Sequence, residues 1–223
     1  MTLDTENLIN SIMESLDRVQ FVKAEDIPNI DLYMDQVTTF IDSRLKNTAR
    51  YKDQDKILTK TMINNYAKNN LLPAPDKKKY TSEHILVLIF IYYFKNILSI
   101  SDIQMLLNPL TERYFGKNKD FSIGKIYDEV MKMGNEQLET LKKDVMEKYT
   151  YSESMFTDAE EDEKEFLQIF SFICMLSFDV YVKKLMIEKM LDEYHAKHSS
   201  DPADKKTDKK AENKKRTNNK KES

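Results

Sequence analysis

The sequence predicts an all-α protein with at most a small β wing, and three observations carry that prediction. Glycine occurs three times in 223 residues, far below the roughly 7% usual in globular chains. Strong helix formers, chiefly Lys, Leu, Met and Glu, dominate. Apolar residues recur at three- and four-residue spacings along most of the chain, in segments closed by Pro or opened by Ser and Thr caps.

Each element follows from that pattern. Leu8, Ile12, Leu16 and Val19 mark a first amphipathic helix over about 3–22. Pro28 and Asn29 open a second, 30–46, with an apolar stripe of Ile30, Tyr33, Met34, Val37, Phe40, Ile41 and Leu45. Residues 47–57 read as a polar connector. A third helix, about 59–70, takes Thr59 as N-cap and is stopped by Pro73 and Pro75. A short basic hairpin-like stretch, 73–81, follows. The fourth helix, about 82–97, is capped by Thr81 or Ser82 and is apolar on most faces. Ser99 with Asp102 forms an acid-closed capping box for a fifth helix, 100–108, which Pro109 is expected to end. Residues 109–121 read as a loop. A sixth helix, about 122–149, carries Tyr127, Val130, Leu138, Leu141 and Val145. Thr157 with Glu160 is a capping-box pattern for a seventh helix over about 158–196, whose acidic start suits the helix dipole. Beyond Ser199 the chain loses apolar periodicity, and its Lys-rich repeats predict a disordered tail.

Composition excludes several chemistries. Gly116, Gly124 and Gly134 are spaced for neither a phosphate-cradling loop nor a dinucleotide turn. The single cysteine, Cys174, allows no intrachain disulfide and no Cys-rich zinc site, and reads as a buried inert thiol. Asp31, Asp35 and Asp42 lie on or near one helix without a His or third carboxylate placed to complete a metal site, so helix solvation and complementarity to the helix dipole account for them. His84 beside Thr81 and Ser82 lacks the geometry of a nucleophile and base, and reads as a capping or core-edge histidine. His195 and His198 form an HxxH at a fraying helix end, where only adventitious metal is expected. No enzyme, metal or cofactor is therefore expected.

The most apolar runs are 85–94 and 166–182. The first is too short to span a bilayer, and the second holds Gln168 and Asp179 and is marginal in length. Both read as buried helices. The acidic N-terminus lacks the features of a signal peptide, so a cytoplasmic protein without membrane contact is expected.

Charge is unevenly placed. The net charge is −3 overall, but +4 over 58–97 and +5 over 197–223, against −4 over 1–57 and −8 over 98–196. An anionic partner would therefore meet 58–97 or the tail; for the tail, five interspersed acids make solubility the plainer role. On a helical wheel Met62, Ile63 and Tyr66 group on one side of the third helix with Leu58 behind them. Lys60, Asn64 and Lys68 recur on the other, flanked by Thr61. Asn can pair with adenine, Thr can touch a base or methyl group, and Lys can neutralise phosphate. Lys77, Lys78 and Lys79 follow in a Pro-bounded turn, placed to grip an adjacent backbone. A basic helix followed by a basic turn is how a winged helix-turn-helix meets DNA. Exposed helix faces are also often Lys- and Asn-rich for solubility alone.

The residues from Met62 to Leu107 resemble the DNA-binding half of the MerR family of bacterial regulators. The resemblance rests on Ile63 and Tyr66, on Leu71, Leu72 and Pro73, on Lys78 and Tyr80 in the wing, and on Leu88, Phe90 and Ile91. Ser99, Ile100, Asp102 and Ile103 then match a turn that Leu106 and Leu107 close. Where the MerR pattern has a DNA-contacting Arg, this chain has Asn64. The wing is about four residues shorter, and a long connector replaces a tight turn. The whole of about 25–110, with IPNIDLYMDQV and LTKTMINNY, is similar to the domain-of-unknown-function 1836 family of Gram-positive bacteria, itself described as MerR-like.

The resulting expectation is an N-terminal helix (1–28), a MerR-like winged helix-turn-helix (29–108), a helical dimerisation or partner half (109–197) and a disordered Lys-rich tail (198–223). Double-stranded DNA is the expected partner, met by Lys60, Thr61, Asn64, Lys68, Lys77, Lys78 and Lys79, with effector and operator unspecified. A helix greasy on every face belongs in a core or between subunits. MerR-like proteins dimerise through a helix downstream of the DNA-binding unit, so the resemblance implies a homodimer through 122–196, with a monomeric helical core as the alternative. The competing expectation is a non-catalytic protein–protein interaction module built on a degenerate helix-turn-helix.

Overall fold

The structure, a computed structural model, describes residues 5–17, 21–51, 56–117 and 121–198. Val19, parts of the 47–57 and 109–121 segments and the tail from Ser199 lie outside the described residues, so the expectations for them are not taken further. Seven α-helices and one two-stranded sheet make up the described chain. It divides into two compact units, Met1–Val182 and Lys183–Ser223.

In the first unit α1 (Thr5–Asp17) is followed by a 3₁₀ turn at Ala24–Asp26, and then by the strand β1 (Leu32–Tyr33) and helix α2 (Met34–Leu45). The expected helix at 30–46 thus begins four residues late. Ile30 and Tyr33, placed on its apolar stripe by periodicity, are exposed. The chain is extended there because Leu32 and Tyr33 pair antiparallel with Tyr80 and Lys79 of β2 (Lys79–Tyr80), and Tyr33 N–H donates to Gln36 Oε1 at 2.9 Å. Val37, Ile41 and Leu45 fill the inner face of α2.

After a 3₁₀ turn (Lys46–Thr48), α3 (Lys60–Lys68) leads to β2 and then to α4 (Ser82–Phe94). α4 is buried continuously from His84 to Tyr92, and α2, α5, α6 and β2 all pack against it. Such a helix needs apolar residues on every side. α5 (Ile100–Tyr114) opens on Ser99, whose Oγ accepts from Asp102 N–H at 3.2 Å while Ser99 N–H donates to Asp102 Oδ2 at 3.1 Å. It does not end at Pro109. The proline lies inside the helix, and 110–114 is helical rather than loop. Two contacts hold its far end: the Phe115 ring lies edge-on to His84 at 4.6 Å, and Gly116 N–H donates to the Glu83 carboxylate at 2.6 Å. Tertiary packing of this kind offsets the roughly 3 kcal/mol a mid-helix proline costs.

α6 (Ile123–Glu153), capped by Ser122, runs four residues beyond its expected end. Its Tyr127 is fully buried and donates to the Val22 carbonyl at 2.6 Å. α7 (Glu161–His198) starts three residues later than expected. Thr157 lies in the turn rather than at the cap. Phe156 takes a left-handed φ of 53°, and the Glu160 carbonyl accepts from Glu163 N–H at 3.0 Å and Lys164 N–H at 2.8 Å. A small second core joins Ile9, Val145 and Phe172, with Ile12, Met13, Tyr149 and Leu176 against it. The remainder of 166–182 contradicts its expected burial: Phe166, Phe170, Ile173, Phe178, Val180, Tyr181 and Val182 are exposed. α1 and α6 pack on one flank of α7, and the opposite side stays exposed among the described residues. Cys174 is half-buried, not fully buried. By length and composition α7 is also apolar enough to cross a membrane.

In the second unit, the described residues 183–198 are helical. Lys184 pairs with Glu188 at 3.6 Å, and Leu191 is buried.

Candidate nucleic-acid interface

The expected recognition element is a nine-residue helix, so its position depends on its ends. At the start, Thr59 is extended and its Oγ1 accepts from Met62 N–H at 3.2 Å, as an N-cap should. At the end, Asn70 takes φ 57°, and the Tyr66 carbonyl accepts from Leu71 N–H at 2.9 Å and Leu72 N–H at 3.2 Å. That is a left-handed helix stop, and Asn tolerates the conformation better than most residues. Leu71 and Leu72, each 1% exposed, then anchor the exit in the core.

Between these ends the apolar side turns inward. Leu58, Ile63 and Tyr66 are buried and Met62 is half-buried. Burial also raises the pKa of the Tyr66 phenol, so it stays neutral. The opposite side carries Lys60, Thr61, Asn64, Asn65 and Lys68, all exposed. Asn65 lies outside the set expected from the sequence. It sits one step round the wheel from Thr61, and only the buried position of Tyr66 fixes which side of it faces out.

The wing is a two-residue hairpin turn. Asp76 and Lys79 bridge, Lys79 N–H donates to the Asp76 carbonyl at 2.7 Å, and Lys77 and Lys78 take φ 47° and 65°. Two successive left-handed residues define the turn that best matches strand twist, normally Asn-Gly rather than Lys-Lys. The turn therefore presents two exposed ammonium groups in a conformation unfavourable to lysine. Lys79 departs from expectation. It belongs to β2, is half-buried, and holds its ammonium over the Tyr33 ring at 5.5 Å. Lys60 is likewise engaged, in an ion pair with Asp35 on α2. The structure thus brings Thr61, Asn64, Asn65 and Lys68 together on one uncovered helix face and leaves Lys77 and Lys78 exposed on the wing.

His84 joins these parts. Its Nδ1 accepts from Thr81 N–H at 3.0 Å, closing the α4 cap, and its ring lies edge-on to Tyr80 of β2 and to Phe115. Burial lowers its pKa, opposed by the Pro73 and Ala74 carbonyls and the Asp31 carboxylate. The neutral ring is structural here, with Nδ1 as acceptor. Burial also raises the pKa of the Tyr80 phenol. Among the described residues no three His, Cys, Asp or Glu side chains converge on a metal-sized site. A cavity of about 30 Å³, room for a water or two, lies between α1, α6 and α7 and is lined by Ile9, Ile12, Tyr149 and Phe172; it is far from substrate size.

Residues 22–130 match the model of a family described as a domain of unknown function (DUF1836). The matched segment runs from two residues before the first 3₁₀ turn into α6, and so contains α2 to α5 with the wing but neither α1 nor α7. No curated protein and no solved structure matches the chain.

Proposed function

We propose that this chain binds double-stranded DNA through a MerR-like winged helix-turn-helix, as a non-catalytic cytoplasmic regulator. What carries the reading is the uncovered face of α3, with Thr61, Asn64, Asn65 and Lys68 outward, beside a hairpin tip of two exposed lysines. In this reading α3 enters the major groove, Asn64 and Asn65 face base edges, and Lys68, Lys77 and Lys78 neutralise phosphates. Lys60 contributes once it exchanges Asp35 for a phosphate. The pairing of β1 with β2 fixes the wing relative to the start of α2.

The Asp35–Lys60 pair favours a second reading, a helix-turn-helix scaffold used for protein contact, because a carboxylate on this face repels a polyanion. Selection of bound fragments from random duplex, with and without the tail, separates the two. Duplex binding should weaken in the Lys60→Ala, Lys68→Ala variant. It should also weaken in Lys77→Asn, Lys78→Gly, which keeps the turn chemistry while removing both charges. The salt slope should fall by about one for each phosphate that a removed lysine no longer neutralises. No enriched duplex, or an unchanged slope in both variants, overturns groove docking by α3 and the wing.

A further inference from the structure

Asp35 and Lys60 form an ion pair that ties the first turn of α2 to the first turn of α3. Their side chains are 74% and 58% exposed, so the pair adds little to stability. It does decide where the Lys60 ammonium stands. At about 100° per residue, Thr61 and Lys68 lie at the middle of the outward face of α3, opposite the buried Ile63 and Tyr66. Asn64 and Asn65 lie about 50° to either side of that middle. Lys60 lies about 90° away, on the edge next to α2, and Asp35 holds its ammonium there.

The rest of the face has a narrow chemistry. Ahead of its last turn it offers the Thr61 hydroxyl and methyl and the Asn64 and Asn65 amides, all exposed. Among the described residues none of these three side chains hydrogen-bonds another protein group. Recognition helices meet base edges mainly with their N-terminal residues. Lys68 belongs to the last turn and falls to phosphate in the docking described above. An amide sets a donor against adenine N7 and an acceptor against its N6 amine, and a threonine methyl packs on the thymine methyl. Guanine instead calls for a cation at O6 and N7, and cytosine for a carboxylate. The middle of the face carries neither ahead of Lys68. The one cation of the first turn is the one that Asp35 keeps at the edge, where it meets phosphate rather than a base.

We infer that α3 prefers A·T base pairs in the major groove, through Thr61, Asn64 and Asn65, and that Asp35 sets this preference by keeping Lys60 from guanine. The inference rests on the reading of α3 as a groove-binding helix and adds which bases are read. A second source of A·T preference exists, the narrow minor groove of A-tracts, which attracts cations. Lys77 and Lys78 at the hairpin tip would be the groups to enter it.

The test uses the full chain in fluorescence anisotropy with labelled duplexes of equal length, one built of A·T pairs without A-tracts and one of G·C pairs. The A·T duplex should bind at least about tenfold more tightly. Replacing adenine by 7-deazaadenine removes the N7 acceptor, and replacing thymine by uracil removes the methyl group, while both leave the minor-groove edges intact. Each replacement should weaken binding at least about fivefold. Asp35→Asn should raise affinity for the G·C duplex about threefold, more than for the A·T duplex, because an exposed pair holds Lys60 only weakly. Asp42→Asn removes the same charge elsewhere on α2 and should leave the preference unchanged. Both variants should keep the helical circular dichroism of the native chain. Failure to bind either duplex overturns groove docking itself, and this inference with it. Equal affinity for the two duplexes overturns the inference and leaves docking in place. So does an A·T preference that survives both base replacements, which assigns it to the minor groove. A preference unmoved by Asp35→Asn removes Asp35 as its source.

Discussion

α4 and the 166–182 part of α7 are both apolar nearly all round, yet one is enclosed and the other is left exposed along one side. α4 is 13 residues long and is packed by four other elements, so every side chain from His84 to Tyr92 is buried. The apolar part of α7 has α1 and α6 on one flank only, and just Ser171 and Phe172 are buried between Phe166 and Val182. Composition states how much apolar surface a helix must hide. It does not state whether the same chain hides it.

The two helices also treat their polar residues differently. α4 admits His84 at its first turn and uses it as a cap acceptor. α7 carries Asp179 on its packed flank and pairs it with Lys148, whose ammonium Asp144 and Asp179 hold above its usual range. A buried acceptor at a helix start satisfies an otherwise orphan N–H. A half-exposed ion pair adds little energy but fixes the rotation of one helix on the other.

The largest expected effect lies in α4. Ile91 is fully buried, so Ile91→Ala should cost about 2–5 kcal/mol of unfolding free energy, from the forfeited transfer energy plus the cavity left behind. Urea denaturation followed by circular dichroism measures it. A cost under about 1 kcal/mol would mean that α4 is loosely held, and its contrast with α7 would disappear.

A second test concerns the α4 cap. Burial holds His84 below the ordinary imidazole pKa, so the folded state keeps the ring neutral while the unfolded chain titrates near 6.5. The stabilisation is therefore complete above the unfolded value and is lost as pH falls below it, because protonation is easier in the unfolded chain. Protonation also abolishes the Nδ1 acceptor for Thr81 N–H. Denaturation midpoints should fall between pH 7 and 5 in the native chain. His84→Gln, whose amide oxygen can still accept from Thr81, should flatten the slope over that range. An identical slope in the two proteins would remove His84 as its source.

Much of the fold is legible in the sequence, and the failures share a cause. The caps at Thr59 and Ser99 and the inward side of α3 are readable because each depends on residues within one or two turns. β1 is not, since a two-residue strand exists only through Tyr80 and Lys79, almost fifty positions away. Pro109 carries a local stop signal that Phe115 and Gly116 override from beyond it, through contacts to α4. In the candidate site the uncovered face is visible from periodicity, but the partners of Lys60 and Lys79 are not. Asp35 and Tyr33 reach them from the α2 side of the wing, and no spacing along 58–80 records that.

The smallest expected effect sharpens the distinction within α7 itself. Phe178 is 65% exposed, about as much as Phe166 at 67%, but it stands off the alternating four- and three-residue spacing that runs from Phe166 through Phe170, Ile173 and Ser177 to Val180. If exposure alone governed association, replacing either ring would weaken it equally. If the spacing governs, Phe178→Ala should change neither the dissociation constant nor the unfolding free energy by more than about 0.5 kcal/mol, the range of ordinary surface substitutions. If 166–182 meets a second copy of the chain, as the resemblance implies, Phe166→Ala should weaken association measurably, because a residue at coiled-coil spacing fills a hole in the facing helix. Sedimentation equilibrium on both variants decides between them: matched weakening would reduce α7 to a general apolar surface, whereas weakening confined to Phe166 ties association to the period of the sequence.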